Sequence, residues 1–465
     1  MSEVRWRETR ARGVEVTASA PRKGVAADSA APVPDGSDPI AAASTRGIAH
    51  DGLLQALNLA ERGLQRLHEH GKHWESSDDP YGSVSEKIIV ETSLLAMLAA
   101  RVADDGDQIH DSVTRVAELL QPLARTPAKA ALIVKHPHTA LPFGITHVAL
   151  EKIGFPDPRF SSILRAAFES GHVHHVERLP YRRLEVAWLL ALWDDAVVDS
   201  SQHRDGSIIY GRPHPIHMSV GDVYALTHTL FYATDFGRHE VPAAVDVEAV
   251  SQCLDACLSW QLFEENVDTV GELLMSSLLL PLPASPVVLT CWNAINALRE
   301  EFGFLPGPSF DARRYGELTG AERDAYAFQH NYHTMYVGGL LSAMVLRRGT
   351  QVRVEPRGRA AGPGDSFRGK ELPYWVRLAA RNDDGMSTAV WSEARTIQQA
   401  RAGAYADLQR SLAEESSHTL SPATLAHARE LVARHVAMTR HYGRDVEPLS
   451  PLPGATVGPD HGPRE

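Results

Sequence analysis

The chain has 465 residues, 43% of them hydrophobic and 22% charged, a balance that builds a folded core. Its net charge of −12 excludes the basic face on which nucleic-acid binding depends, and gives no attraction to an anionic membrane surface. Three cysteines, Cys253, Cys257 and Cys291, are too few for a disulfide scaffold and fit a reducing cytoplasm.

Residues 1–46 are rich in Ala, Pro, Ser and Arg without a hydrophobic period, and read as a disordered tail. The opening MSEVRWRETRARG lacks the apolar run of a secretory signal. A helical main domain is expected over 47–348. Apolar residues recur at helical spacing in 51–66, 86–105, 110–122, 158–169 and 181–199, the last with Pro180 at its first position. KHPHTALPFG (135–144), GHVHHVERLP (171–180) and RPHPIHM (212–218) read as histidine-rich loops, and 201–218 has room for one short hairpin. Ser219-Val-Gly-Asp222 is a capping-box-like opening for a helix over 220–236, with Gly237 as a left-handed stop.

Further helices are expected over 246–263, 266–280, 286–301 and 320–347, where Thr319-Gly-Ala-Glu322 is a second capping box. Cys253 and Cys257 share a helical face and read as ordinary buried thiols. The most apolar stretch, LLMSSLLLPLPASPVVLTC (273–291), is broken by Pro281, Pro283 and Pro286 into two buried helices, so no membrane span is expected. Residues 349–372 form a Gly/Pro/Arg-rich linker or loop. A C-terminal helical extension occupies 373–446, with helices at 390–413 and 422–438, and 447–465 is a second tail.

A run of about a dozen helices without strand alternation predicts an all-α fold. TCWNAINALREEFGFLPGPSF (290–310) resembles the helix-then-loop repeat of α/α-toroid proteins such as squalene cyclases and lanthionine cyclases, with Glu-Phe-Gly-Phe-Leu-Pro-Gly-Pro in place of their Gln and Asp-Gly. The resemblance implies an α/α-toroid-like or related helical array around a central cavity.

Three constellations could carry chemistry. On the 220–236 helix, Tyr224, His228, Tyr232 and Asp235 fall within roughly 40° of one direction at about 100° per residue, with Phe231 beside them. His supplies a proton-transfer group near neutrality, and Asp orients it or binds a cation. On the 320–347 helix, Tyr326, His330, His333 and Val337 share a face, Tyr332 adds an aromatic ring, and His-x-x-His spacing fits two ligands of a divalent metal. Gly338-Gly339 in mid-helix marks a close approach by backbone or ligand. In ALWDDAVVDS (191–200) the apolar stripe of Leu184 and Trp188 runs into Asp194, Asp195 and Asp199, expected in the last turns of a helix where a cation or Arg would offset the dipole. D-D-x-x-x-D resembles the magnesium-binding motif of class I terpene synthases. Their second motif has its nearest counterpart in Asn266-Val-Asp-Thr269-Val-Gly-Glu272, one residue short.

LEVAWLLALW, HTLFYATDFGRH and YHTMYVGGLL, in that order, resemble an uncharacterised all-helical family of high-GC actinobacteria, met near specialised-metabolite genes. The resemblance spans 145–347, implies no established activity, and places His228, Asp235, His330 and His333 in the family pattern. The expected site therefore has His228, Asp235, His330 and His333 as catalytic groups and Tyr224, Phe231, Tyr232, Tyr326, Trp188 and Asp195 as pocket walls. His330, His333, Asp194, Asp195 and Asp199 are the candidate metal ligands. The two polar stripes are expected to face one central pocket. The substrate would be an apolar or peptide small molecule of specialised metabolism. Two other readings stand beside this one: a non-catalytic scaffold with buried His/Asp networks, and a divergent terpene-synthase-like enzyme. The sequence does not specify an oligomeric state.

Overall fold

The computed structural model describes residues 39–70, 84–348, 386–414 and 420–442. Among them there is no strand. The chain enters as α1 (Pro39–His70), α2 (Val84–Ala100), α3 (Gln108–Ala124), α4 (Pro127–Lys135), α5 (Ala140–Lys152) and α6 (Pro158–Glu169). It continues as α7 (Pro180–Trp193), α8 (Val220–Thr234), α9 (Val247–Phe263), α10 (Val267–Leu279), α11 (Pro286–Phe302), α12 (Ala312–Glu317) and α13 (Gly320–Arg348). Then come α14 (Met386–Arg401), α15 (Tyr405–Glu414) and α16 (Pro422–Tyr442). No helix is long and apolar enough, among the described residues, to cross a membrane.

Six of these helices touch in a series that returns on itself: α2 packs on α5, α5 on α7, α7 on α8, α8 on α10, α10 on α13, and α13 on α2. The side-chain pairs show that the series is parallel, because residue numbers rise together across every seam that two pairs define. Between α5 and α7, Gly144 faces Leu189 and Lys152 reaches the Trp193 carbonyl. Between α7 and α8, Tyr181 meets Tyr224, Glu185 meets Tyr232, and Trp188 meets the Asp235 that follows α8. Between α10 and α13, Asp268 lies near His333 and Leu278 near Arg348. Across the pair formed by α13 and α2, Glu91 bonds His333 and Thr92 bonds Tyr336.

The other helices back this series. α1 lies against α13, α2 and α3; α3 against α2 and α5; α6 against α5; α9 and α11 against α10. Glycine allows two of the closest approaches. A Cβ on Gly271 would come 2.6 Å from Val337, and one on Gly339 would come 2.5 Å from the Ala56 Cβ. The mid-helix glycines of α13 thus make room for α1 and its neighbours. The C-terminal helices pack onto α9 and α11, with Trp391 against Phe263 and Arg401 4.0 Å over Trp260.

Parallel helices gather their unpaired terminal carbonyls at one end, where cations are favoured. Arg347 donates to the Phe236 and Gly237 carbonyls, and Arg348 to those of Leu278, Leu280 and Leu282. Arg101, one residue past α2, donates to Asp235 at both carboxylate oxygens (2.9 and 3.1 Å) and at its carbonyl. The Trp188 indole adds a 2.8 Å bond to the same carboxylate.

Several expectations need revision. α1 begins at Pro39, inside the stretch read as a tail. α4 ends at Lys135 and α5 begins at Ala140, so the histidine-rich loop expected over 135–144 shrinks to a connection at 136–139 that includes a 3₁₀ turn. Residues 201–218 hold 3₁₀ turns at 200–203 and 208–210 in place of a hairpin. The 390–413 helix is two helices, broken at Gly403, whose φ is +69°. α7 stops at Trp193, so the three aspartates follow the helix. α8 stops at Thr234, and the left-handed run begins at Asp235 and Phe236, before Gly237 (φ of 46°, 53° and 83°). A non-glycine residue there costs roughly 1–2 kcal/mol, which the Arg101, Trp188 and Arg347 bonds offset. The linker at 349–372 and the tail at 447–465 lie outside the described residues.

Asp235→Ala leaves Arg101 buried without its carboxylate and should destabilise the fold by about 3–5 kcal/mol in urea denaturation. A loss below about 1 kcal/mol would show that the clamp does not hold this end together.

Candidate functional site

At the opposite end, where the six helices of the series begin, lies a connected set of ionisable groups. α8 starts with a complete capping box: Ser219 accepts from the Asp222 amide, and Asp222 accepts from the Ser219 amide. That fixes the first turn and the direction of Tyr224, whose ring stacks on His228 at 3.6 Å. His228 Nδ1 lies 3.1 Å from the Tyr224 carbonyl, which accepts a proton only. Nδ1 is therefore the protonated nitrogen and Nε2 carries the lone pair. Burial, together with the charges of Arg182 and His333, pushes the His228 pKa down to about 3.

α10 contributes Asp268 and Glu272, one turn apart on the same face. Glu272 Oε2 bonds Thr227 at 3.0 Å and lies 3.7 Å from His228 Nδ1. Burial pushes the Glu272 carboxyl up to about 7, and the nearby Asp268 and Glu91 charges add to this against the opposing pull of His333. α13 contributes His333, whose Nδ1 lies 3.1 Å from both oxygens of Glu91 on α2. Its Nε2 is 3.9 Å from Asp268 Oδ2. Burial acts to lower the His333 pKa, but Glu91 outweighs it and raises the value above that of a free imidazole. Burial likewise acts to raise Glu91, and His333 with Lys87 brings it below the ordinary carboxylate range.

α7 completes the wall. Arg182 bonds both oxygens of Glu185 (3.2 and 3.0 Å), and Tyr232 donates to Glu185 at 2.8 Å. Burial opposes the Arg182 charge, yet Glu185 and the neighbouring tyrosines raise its pKa further. Water reaches this end: His333 keeps a third of its side-chain surface and Tyr224 is 36% exposed. In chemical terms Glu91 is biased toward the ionised form beside His333, which is biased toward holding its proton, and Glu272 is biased toward the protonated form beside His228, which is biased toward neutrality.

The expected site residues separate into three groups. Tyr224, His228, Tyr232 and His333 come together, linked through Glu272. Phe231 stacks on Phe236 and flanks His228, and Trp188 lies beneath Tyr232. Asp235 neither orients a histidine nor lines this end. It lies about a turn beyond Tyr232 in the Arg101 clamp, which carries it away from His228 despite the shared face. His330 and Tyr326 turn to another side of α13, where His330 bonds Ser309 and Tyr326 accepts from the Asp311 amide. Tyr326 is seven residues before His333, or about 10 Å along the axis, so a common face does not give a common site. Tyr332 packs between Phe328 and Tyr336.

The three aspartates after α7 bind three different groups: Asp194 pairs with Arg165, Asp195 with Lys152, and Asp199 caps the 3₁₀ turn through Ser201. Glu272 is level with the start of α7, whereas Asp194 is at its end, roughly 20 Å away at 1.5 Å per residue. The structure therefore does not bring the two terpene-synthase-like segments face to face. Among the described residues, no group of three or more His, Cys, Asp or Glu is arranged to hold a metal ion. All three cysteines are free and buried.

Sequence reading passed over Glu91, Arg182 and Glu185 and met Asp268 and Glu272 only as parts of a motif. Glu91 and Glu272 did carry a signal. Each is a carboxylate next to an apolar helical run, where an unpaired charge is costly and a partner is required.

Residues 53–343 match the family described as a domain of unknown function, DUF6895. The match covers more than half of the chain, and the chain belongs to that family. Its limits run from α1 to α13, so it takes in the whole closed series and leaves α14 to α16 outside. No curated protein and no solved structure matches the chain.

Because its folded pKa is raised, Glu272 gives stability that is fully present below its ordinary value near 4.5 and is lost as pH rises through about 7. Glu272→Gln removes that loss. The variant should gain on the wild type between pH 5 and pH 8 by a few kcal/mol in thermal or urea unfolding. A difference between the two proteins that does not change with pH would contradict the assignment.

Proposed function

We propose that this DUF6895 protein is an enzyme performing general acid–base chemistry on a small molecule held at the N-terminal end of the inner helices. The closed parallel series is read as an α/α-toroid whose interior carries the site. One observation carries the functional reading. Two carboxylates near the same imidazolium are biased in opposite directions, Glu91 toward the ionised form and Glu272 toward the protonated form near neutrality. Such a separation assigns an acid and a base within one site.

On this reading Glu272 is the proton donor and Glu91, ion-paired with His333, is the acceptor, while the neutral His228 Nε2 offers a hydrogen-bond acceptor to the substrate. Tyr181, Tyr224 and Tyr232 offer the aromatic wall that an apolar or peptide substrate would pack against. A role in bacterial specialised metabolism accords with the sequence resemblance, and free buried cysteines accord with a reducing cytoplasm.

A scaffold reading draws on a different observation: several histidines and carboxylates are fully bonded. His147 is completely buried between Arg125 and Ser161, and Asp235 is saturated by Arg101, Arg238 and Trp188. Turnover separates the two readings. Wild type, Glu272→Gln and His333→Gln, each checked for folding, are incubated with a bacterial metabolite extract and compared by untargeted mass spectrometry. The enzyme reading expects compounds consumed by the wild type and spared by both variants. Identical profiles for three folded proteins would favour the scaffold.

A further inference from the structure

Two histidine-rich stretches, KHPHT (135–139) and GHVHH (171–175), are distant in sequence and adjacent in the fold. α4 ends at Lys135 and passes through His136 into the 3₁₀ turn at 137–139, and both the helix and the turn pack on α6. α6 ends at Glu169, and the chain reverses at Gly171, whose φ is +79°. The result is an open cavity of about 540 Å³, whose walls include Lys135, His136, His138, His172 and His175. The site already described uses none of these residues.

The chemistry of the walls is selective. Four imidazoles line the cavity and no carboxylate does, which disfavours the oxygen-seeking Mg²⁺ and Ca²⁺ and suits Zn²⁺, Ni²⁺ or Cu²⁺. The C-terminal ends of α4 and α6 bring partial negative charge, which favours a cation there. Each stretch sets two of its rings side by side. His136 and His138 have centroids 5.8 Å apart and His172 and His175 6.4 Å apart, both edge-on. Two imidazoles on one tetrahedral zinc have centroids roughly 5 Å apart, given Zn–N bonds of about 2.0–2.1 Å. In this conformation no three of the rings are gathered around one point. His172 and His175 are exposed, so their side chains can rotate toward His136 and His138 without disturbing the core.

We propose that His136, His138, His172 and His175 form a binding site for a divalent transition-metal ion, closing the α4–α5 turn against the α6–α7 connection. The ion would pin the segment that leads into Pro180, and with it the start of α7, which carries Arg182 and Glu185.

The test uses the full-length protein, stripped with a chelator and titrated calorimetrically with zinc chloride, with magnesium chloride as control. One equivalent of zinc should bind with micromolar affinity, and magnesium should not bind. His136→Gln/His138→Gln and His172→Gln/His175→Gln should each weaken zinc binding by about tenfold or more, with the melting temperature of the metal-free protein unchanged. His110→Gln, at an exposed ring elsewhere, should bind as the wild type does. Absence of zinc binding, or full affinity in either double variant, would overturn the proposal.

Discussion

The fold depends on parallel helices sharing one closed series, because that arrangement divides their ends by charge. Amide-rich N-termini collect on one side and unpaired carbonyls on the other. Arg101, Arg347 and Arg348 meet the carbonyls, and Asp235 anchors the first of them. With one end tied by cations, the opposite end is left open to water and carries the ionisable set. The Asp235 clamp and the His228–His333 end are thus consequences of the same alignment. The family match, residues 53–343, reaches every helix of the series and stops a few residues short of Arg347 and Arg348.

Histidine behaviour across the chain shows how the surroundings sort one residue type into several roles. His147, His214 and His228 are all driven toward neutrality chiefly by burial. His333 keeps a third of its side-chain surface, and its Nδ1 faces Glu91, whose carboxylate reverses the direction. His214 bonds Thr424 and stacks on His427, which fixes α16 to the loop before α8. A neutral, saturated imidazole of that kind is a structural part. The end of the series differs because two imidazoles driven in opposite directions, His228 down and His333 up, flank the Glu272 carboxyl, itself pushed up to about 7.

Much of this was legible in the sequence, and the failures have physical causes. α8 was readable because its cap, its stripe of Tyr224, His228 and Tyr232, and its terminating turn all agree. Asp235 fits the same stripe by angle alone, but Trp188 and Arg101 draw its carboxylate to the opposite end. His330 and His333 looked like a pair, yet they diverge because each finds a different neighbour, Ser309 and Glu91. α5 was missed because it is buried on all sides and shows no amphipathic period, while the prolines and histidines before it resemble a loop. Pairings such as Glu91 with His333 join residues 242 positions apart, and no local pattern reports them.

The central claim is that His228 and His333 belong to one electrostatically coupled site at the N-terminal end of the inner helices. Long-range ¹H–¹⁵N correlation of imidazole-labelled protein, followed through a pH titration and assigned with His228→Gln and His333→Gln, measures it directly. His333 should hold its proton above pH 6.5, and His228 should stay in the single Nδ1–H tautomer until far below that value. If both rings titrate near 6.5 with mixed tautomers, as free imidazoles do, the claim fails.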